Sequence, residues 1–230
     1  METEKELTIA DLNEKYPAAL EYLTEIFLIH RDYGLVKNSV IAKRLGVSKP
    51  AVTQAMKRLK KYSLIEQDLY GSILLTPAGR RVAAKVLKRH YLIEHLLIHQ
   101  LDYPWVKSDE EAARIQATLS DEFTDYLFEF FNRPDFCPHG NPFPGSVSEK
   151  KTLSAPRLSS AVSGTRGLIV RITEEGEVAD GLLQFCYENR MQPGVEFVIL
   201  KTSGDFVTVR LGEIKIDIPS GIADFICFTE

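Results

Sequence analysis

The stretch Asn38-Ser-Val-Ile-Ala-Lys-Arg-Leu-Gly-Val-Ser-Lys-Pro-Ala-Val-Thr-Gln54 decides the fold of the N-terminal part of the chain. Ile41 and Leu45 share one face of a short helix, and Gly46 suits the left-handed conformation that ends a helix. Ser48 can cap the helix that follows. The order of helix, tight turn and helix predicts a helix-turn-helix.

Basic residues concentrate around this stretch. Residues 37–93 hold thirteen Lys or Arg and two acids, whereas the rest of the chain holds fifteen basic and thirty acidic residues. The net charge of −4 therefore divides into +11 here and −15 elsewhere. A basic surface on an acidic protein indicates a polyanionic partner, and DNA is the commonest. The alternative is a helical subdomain with a solvated basic face.

The second helix of a helix-turn-helix lies in the major groove and contacts base edges with its first turn. Gln54 can form a bidentate pair with adenine, while Pro50 and Ala51 can touch a thymine methyl group. The remaining predicted phosphate or base contacts are Lys37, Ser48, Lys49, Thr53, Lys57 and Arg58. A hairpin over residues 64–75, with its turn at Gly71, is the predicted wing.

Helical patterns flank this region. Apolar residues at helical period predict a helix over residues 16–30. Thr76-Pro77 begins another helix, which is first basic and then apolar. Ser108-Asp-Glu-Glu111 is a capping box that predicts one long helix with an apolar stripe from Ala112 to Phe130. The stripe is large for a small domain, so we expect a homodimer interface there.

The C-terminal part changes to a period of two. A Pro-rich loop and a Ser-rich segment precede five short β-patterns within residues 167–230, with a helix over residues 178–189 between the first two. This pattern predicts a small antiparallel barrel. We therefore predict a mainly α protein with a small β domain. Its parts are a winged helix-turn-helix (1–77), a helical dimerisation and metal-binding domain (78–145), a linker (146–166) and a barrel (167–230).

Composition narrows the class of protein. The chain has 230 residues and an apolar fraction of 44%, and it has no apolar run of the roughly 18 residues that a membrane span needs. The charged N-terminus lacks the pattern of a signal peptide, so we expect a cytoplasmic protein. Three cysteines are too few for a disulfide framework, and Cys186 and Cys227 fit core positions.

Potential metal ligands occur in two places. His90 and Glu94 are four residues apart, so both project from one helical face, and Cys137 and His139 lie two apart in the Pro-rich loop. A mixed set of nitrogen, oxygen and sulfur donors suits a transition metal. The alternatives are a surface salt bridge for the first pair and a turn with an incidental cysteine for the second. His95 and His99, within an apolar run, are interpreted as packed or interfacial.

Together these features resemble the diphtheria toxin repressor family, most closely its manganese-responsive branch. The resemblance spans nearly the whole chain, and no single stretch is specific by itself. The matching stretches are Ser48-Lys-Pro-Ala-Val-Thr-Gln54, Leu74-Leu-Thr-Pro-Ala-Gly79, Arg89-His-Tyr-Leu-Ile-Glu94, His99-Gln-Leu-Asp-Tyr103, Ser120-Asp-Glu122 and Cys137-Pro-His-Gly140. The resemblance implies a homodimeric, metal-responsive repressor of metal-ion transport genes that binds a palindromic operator, with an SH3-like barrel (iron-transport-protein-A-like) as third domain.

The resemblance also implies two metal sites. The residues at Glu94, Cys137 and His139 correspond to an accessory site, which an acid of the barrel completes. By position that acid is Glu174, with Glu175 or Asp180 as alternates. The metal expected there is Mn(II) or Fe(II), with Zn(II) also compatible.

The main sensing site of the family is altered in this sequence. Its first position corresponds to Glu21, but the next three correspond to Ala113, Gln116 and Ala117, none of which is a good ligand for a divalent metal. Asp109 stands where some members have a His ligand. Either metal control uses the other site, or the regulator has lost its metal dependence. An enzyme is the third hypothesis, but the sequence has no phosphate loop, nucleophile motif or His-Glu-x-x-His helix.

Overall fold

A computed structural model describes residues 8–67 and 72–230. The predicted turn at Gly71 and the charged N-terminus lie outside these residues. The chain divides into two compact units, one of residues 1–90 and 113–125 and the other of residues 91–112 and 126–230. Across the described ranges, no helix combines the length and the apolar character that crossing a membrane requires.

The first unit is helical apart from one hairpin. Its N-terminal helices are α1 (Ile9–Lys15), α2 (Ala18–Tyr33), α3 (Asn38–Arg44) and α4 (Lys49–Lys61). The strands β1 (Ile65–Gln67) and β2 (Ile73–Leu75) pair antiparallel. The predicted helix-turn-helix and wing strands are thus present, and α1 is an additional helix.

Local chemistry explains the turn between α3 and α4. Gly46 adopts a φ of +64°, a conformation that costs glycine little. Ser48 Oγ accepts a hydrogen bond from the Ala51 backbone N–H at 3.3 Å and so caps α4. Val52 and Met56 are buried on the inner face of α4. The predicted apolar stripe therefore faces the core and leaves the polar side of α4 to solvent.

Three further helices contribute residues to both units: α5 (Pro77–Leu101), α6 (Ser108–Ile115) and α7 (Asp121–Phe130). The prediction of one long helix from Ser108 to Phe130 is therefore wrong. The Thr118 hydroxyl donates to the Ile115 carbonyl at 2.8 Å, and Ser120 Oγ accepts from the Phe123 N–H at 3.1 Å. These side chains offer the backbone an alternative to helical hydrogen bonds, so the chain leaves one helix and starts another.

The second unit is built on a five-stranded antiparallel sheet. Its strands are β3 (Arg166–Ile172), β4 (Glu196–Thr202), β5 (Phe206–Leu211), β6 (Ile214–Pro219) and β7 (Ile226–Thr229). They are ordered β6-β5-β4-β3-β7. The sheet is SH3-like, as predicted, but the edge strands β6 and β7 do not pair with each other to close a barrel.

Four short helices accompany the sheet: α8 (Glu149–Leu153), α9 (Glu174–Glu177), α10 (Leu182–Glu188) and α11 (Ser220–Ala223). The helix predicted over residues 178–189 is thus shorter and is preceded by α9. Thr173 Oγ1 caps α9 by accepting from the Gly176 N–H at 3.2 Å. Leu158, in the segment predicted as a linker, is fully buried in the core of this unit with Cys186. The predicted division into domains stays a prediction.

Candidate nucleic-acid interface and metal centre

The predicted DNA contacts from Ser48 to Arg58 lie on the solvent side of α4 and in the turn before it. Every one of them is exposed apart from Ala51, which is half-buried, and Lys37 is exposed as well. The Thr53 hydroxyl donates to the Lys49 carbonyl at 3.0 Å, and the Arg58 guanidinium carbon lies 4.0 Å from the centre of the Tyr16 ring. The solvent side of α4 therefore presents Gln54 and Lys57 without a competing acid on the same helix.

Three predicted metal ligands meet in the second unit. Glu94 on α5 and Cys137 and His139 in the Pro-rich loop are all buried, and each has a ligand atom within 4.8 Å of the others. His139 Nδ1 lies 2.9 Å from Glu94 Oε1. Residues distant in sequence thus bring a nitrogen, an oxygen and a sulfur donor together, as the mixed ligand set requires.

The orientation of His139 is set by its other ring nitrogen. Its Nε2 lies 3.3 Å from the Trp105 carbonyl oxygen, which can only accept. The proton of a neutral imidazole therefore belongs on Nε2, and the lone pair of Nδ1 points toward Glu94. A backbone carbonyl that holds the distal N–H of a ligating histidine is a common feature of metal sites.

A second carboxylate, Glu177 on α9, approaches the same nitrogen. Its Oε2 lies 3.6 Å from His139 Nδ1. The Asn141 amide donates to Glu177 Oε1 and to the Ile172 carbonyl, the latter at 2.8 Å. Sequence reasoning missed Glu177, although Thr173-Glu-Glu-Gly-Glu177 is a capping pattern that places the first and last glutamates three residues apart on one helical face.

Glu174, the acid expected by position, is engaged elsewhere. It accepts hydrogen bonds from the Tyr91 hydroxyl and, at 2.9 Å, from Arg171 Nη2. A carboxylate that already neutralises a buried guanidinium is less available to a metal. Of the alternates, Glu175 is half-buried and Asp180 is exposed. In the part of the chain that the structure describes, neither has a ligand atom in the Glu94 cluster.

Burial raises the pKa values of two groups in this cluster. The pKa of Glu177 lies well above its ordinary value because the carboxyl is buried, and next because Glu94, Asp109 and Glu174 carry like charge nearby. Burial, followed by the charge of Glu94, likewise raises the pKa of the Cys137 thiol. Both shifts arise first from burial and then from the negative charges of neighbouring carboxylates.

These residues fit a divalent cation. Between the described residues, neither His139 Nδ1 nor Glu177 Oε2 has a hydrogen-bond partner. Two buried carboxylates beside an imidazole lone pair repel one another, and a cation placed among them removes that repulsion. The donors also match the nitrogen, oxygen and sulfur preferences of a transition metal.

The close approach of the Pro-rich loop to the sheet depends on Gly140. Its φ is +88°, and an added Cβ would lie 2.0 Å from the Val170 carbonyl oxygen. The Ile172 N–H donates to the His139 carbonyl at 2.9 Å in the same region. Only glycine therefore lets this loop place Cys137 and His139 against β3.

The other predicted metal ligands are arranged differently. In the first unit, His90 is buried with Nδ1 3.2 Å from Gln116 Oε1, and Glu21 is exposed. Asp109, in the second unit, is half-buried, and its negative charge raises the pKa of Glu177 after the larger effects of burial and of Glu94.

Comparisons with known proteins agree with the two functional regions. Residues 17–73 match the family described as "Iron dependent repressor, N-terminal DNA binding domain". Residues 76–145 match "Iron dependent repressor, metal binding and dimerisation domain". The second match contains Glu94, Cys137 and His139.

Individual relatives match over most of their length. The diphtheria toxin repressor of Corynebacterium glutamicum is 32% identical over 199 residues, or 83% of this chain and 87% of the relative. The crystal structure of T. acidophilum IdeR is 31% identical, has a TM-score of 0.72 and matches 91% of this chain and 96% of its own. The manganese regulator SloR is 26% identical, with a TM-score of 0.74 and coverages of 92% and 98%.

Proposed function

The chain belongs to the diphtheria toxin repressor family of metal-dependent, DNA-binding repressors, and from that premise we propose which of its residues bind metal and DNA. It is a homodimeric transcriptional repressor that uses a divalent transition metal. Its relatives are repressors and not enzymes, in agreement with the expectation from sequence. The genes that it controls are proposed to be those of metal-ion transport, and its location the cytoplasm.

The metal site that we propose consists of Glu94, Cys137, His139 and Glu177. The observation that supports it most is the His139 ring, whose Nε2 is held by the Trp105 carbonyl while Nδ1 faces two buried carboxylates. Mn(II) or Fe(II) is the favoured occupant, and Zn(II) suits the Cys and His donors. When bound, the metal supplies positive charge that holds together carboxylates which otherwise repel.

The protein residues around this site hold the ligands in position. Arg171 donates through Nε to Asn141 Oδ1, which fixes the amide so that its NH₂ group faces Glu177. Arg171 also binds Glu174 at 2.9 Å and so engages that carboxylate in a buried ion pair. Glu174 remains a predicted ligand, but its contact with Arg171 favours a supporting role. His90 also remains a predicted ligand. Glu21 and Asp109 remain weaker candidates.

For DNA, we propose that α4 enters the major groove. Gln54, Pro50 and Ala51 contact base edges, and Ser48, Thr53 and the basic residues Lys37, Lys49, Lys57 and Arg58 contact phosphates or bases. The β1–β2 hairpin is the wing. Metal can regulate this binding only if it binds the DNA-competent state of the dimer more tightly than the other state.

Two linked titrations test this function. Fluorescence anisotropy with operator DNA, with and without Mn(II), Fe(II) or Zn(II), measures whether metal strengthens DNA binding, and calorimetry on the protein alone measures metal affinity. We expect Glu177→Gln to weaken both and Glu129→Gln, which removes an exposed carboxylate from α7, to weaken neither. Metal binding that leaves DNA affinity unchanged would contradict the proposal.

The DNA residues require their own variants. Gln54→Ala should cost about 1–3 kcal/mol on the operator and relax specificity at one base pair, because a bidentate contact is lost. Lys57→Ala should weaken operator and unrelated duplex alike and reduce the salt dependence by about one phosphate contact. Equal loss on both duplexes for Gln54→Ala would exclude it from base recognition.

A further inference from the structure

The first unit contains a cleft that neither metal binding nor the DNA-contacting face of α4 uses. Its volume is about 600 Å³, within the usual range of small-ligand sites. It is lined by the start of α1, one side of α5 and residues 117–121 ahead of α7. Ile9 and Val82 contribute apolar wall, while Arg81, Lys85 and Arg89 contribute three cations.

One carboxylate serves two of these cations. Lys85 Nζ lies 3.1 Å from Asp121 Oδ2, and Arg89 Nη2 lies 2.9 Å from Asp121 Oδ1. Among the lining residues that the structure describes, Asp121 is the one acid, against three basic side chains. The two cations that Asp121 binds carry twice its charge, so this pairing leaves net positive charge at Lys85 and Arg89.

Arg89 also has an unsatisfied donor. Its side chain is only 6% exposed, and its Nε has no hydrogen-bond partner among residues 8–67 and 72–230. A buried guanidinium N–H without an acceptor is costly, and an anion would satisfy it. The ten-residue helix α7 begins at the edge of the cleft, and its N-terminus adds partial positive charge.

We propose that this cleft binds a small organic oxyanion, with a carboxylate or phosphate group at Lys85 and Arg89 and a short apolar body against Ile9 and Val82. The site is separate from the proposed metal centre. Ala117, which lines it, stands at a ligand position of the family's main metal site, and neither Ala nor the neighbouring cations favour a metal. The basic residues of this cleft therefore favour an anion over a metal cation.

Calorimetric titration of the metal-free full-length protein tests the proposal, with phenyl phosphate, benzoate and inorganic phosphate as probes in a low-salt buffer. We expect saturable binding of phenyl phosphate or benzoate, tighter than that of inorganic phosphate because of the apolar walls. Lys85→Met and Arg89→Met should each weaken it at least about tenfold, as expected for a lost charge-assisted hydrogen bond. Hydrogen exchange should slow at residues 117–121 on saturation.

The matched control is Lys88→Met. Lys88 lies on the same helix and pairs with Asp125 at 2.8 Å, but it does not line the cleft. Lys85 is more than half exposed, so Lys85→Met should fold even if Arg89→Met does not. No saturable binding, or equal weakening by Lys88→Met, would overturn the proposal. It would also fail if only duplex DNA, and none of the small anions, responded to Lys85→Met.

Discussion

Two regions of this protein correspond to metal sites in the resemblance, and they differ in the donor atoms that they offer. The cluster of Glu94, Cys137, His139 and Glu177 has donor atoms, burial and an anchored imidazole. The other region has one acid, Glu21, while Ala113, Gln116 and Ala117 are not good ligands for a divalent metal. Fold alone therefore does not determine a metal site, because the donors and their electrostatic surroundings must also be present.

The two units also differ in the sign of the charge around these regions. In the second unit, burial and then the like charges of neighbouring carboxylates raise the pKa of Glu177, and such a surrounding favours a cation. In the first unit, Lys85 and Arg89 lower the pKa of Asp121 through hydrogen bonds. Each region has an excess of one sign, so each favours a ligand of the opposite charge.

The largest expected effect comes from removing a direct ligand. Glu94→Gln or His139→Ala should weaken metal binding at least about 100-fold, more than the loss of a supporting residue usually does. Glu94→Gln should not lower the unfolding temperature of the metal-free protein, because it removes one of two repelling buried carboxylates. Calorimetry and thermal unfolding measure the two quantities. If metal still binds these variants with full affinity, the metal site lies elsewhere, for example at Glu21, Ala113, Gln116 and Ala117.

Gly140→Ala should have the next largest effect. The new methyl group would clash with the Val170 carbonyl at a φ of +88°, so the free energy of unfolding should fall by more than about 2 kcal/mol. Metal affinity should fall with it, because the Pro-rich loop carries two ligands. Gly145→Ala is the control: its φ is also positive, but no atom lies within 4 Å of the added Cβ. Similar losses in both variants would attribute the effect to backbone strain alone.

A pair of variants separates the two glutamates of α9. Glu177→Gln should weaken metal binding about 10- to 100-fold, whereas Glu174→Gln should weaken it less than about tenfold. The reason is that Glu177 lies beside His139 while Glu174 binds Arg171 and Tyr91. Titration of each variant with Mn(II) and Zn(II) gives the affinities. The reverse order would restore Glu174 as the ligand from this helix.

The smallest expected effect concerns Asp121. Asp121→Asn should cost less than about 1 kcal/mol of stability at neutral pH, because the carboxylate is mostly exposed to solvent. The folded-state pKa of Asp121 lies below its ordinary value of 3.8, so its contribution is present above that pH. It is lost as the pH falls through the lower folded-state pKa. Unfolding curves of both proteins should converge in acid, and a difference that persists there would exclude this ion pair as the cause.

The sequence predicted the repeating parts of the fold well. Ser48, Gly46 and the apolar stripe of α4 act within one turn or one helix, so their effect is visible in the order of residues. The period-two segments likewise predicted all five strands of the sheet. The long helix failed at Thr118 and Ser120, where side-chain hydroxyls compete for backbone partners that periodicity does not consider.

By itself, the sequence determined the basic helix-turn-helix. It also predicted the donors Glu94, Cys137 and His139, and it has Ala113, Gln116 and Ala117 where the resemblance places metal ligands. Only the tertiary structure decided which barrel acid approaches His139, because Glu174 and Glu177 differ in their long-range partners Arg171, Tyr91 and Asn141. It also decided that the Trp105 carbonyl orients the His139 imidazole and that three basic side chains and Asp121 line one cleft of the first unit. Residue identity fixes which chemistry is available, whereas distance and burial between residues far apart in the chain fix which of it is used.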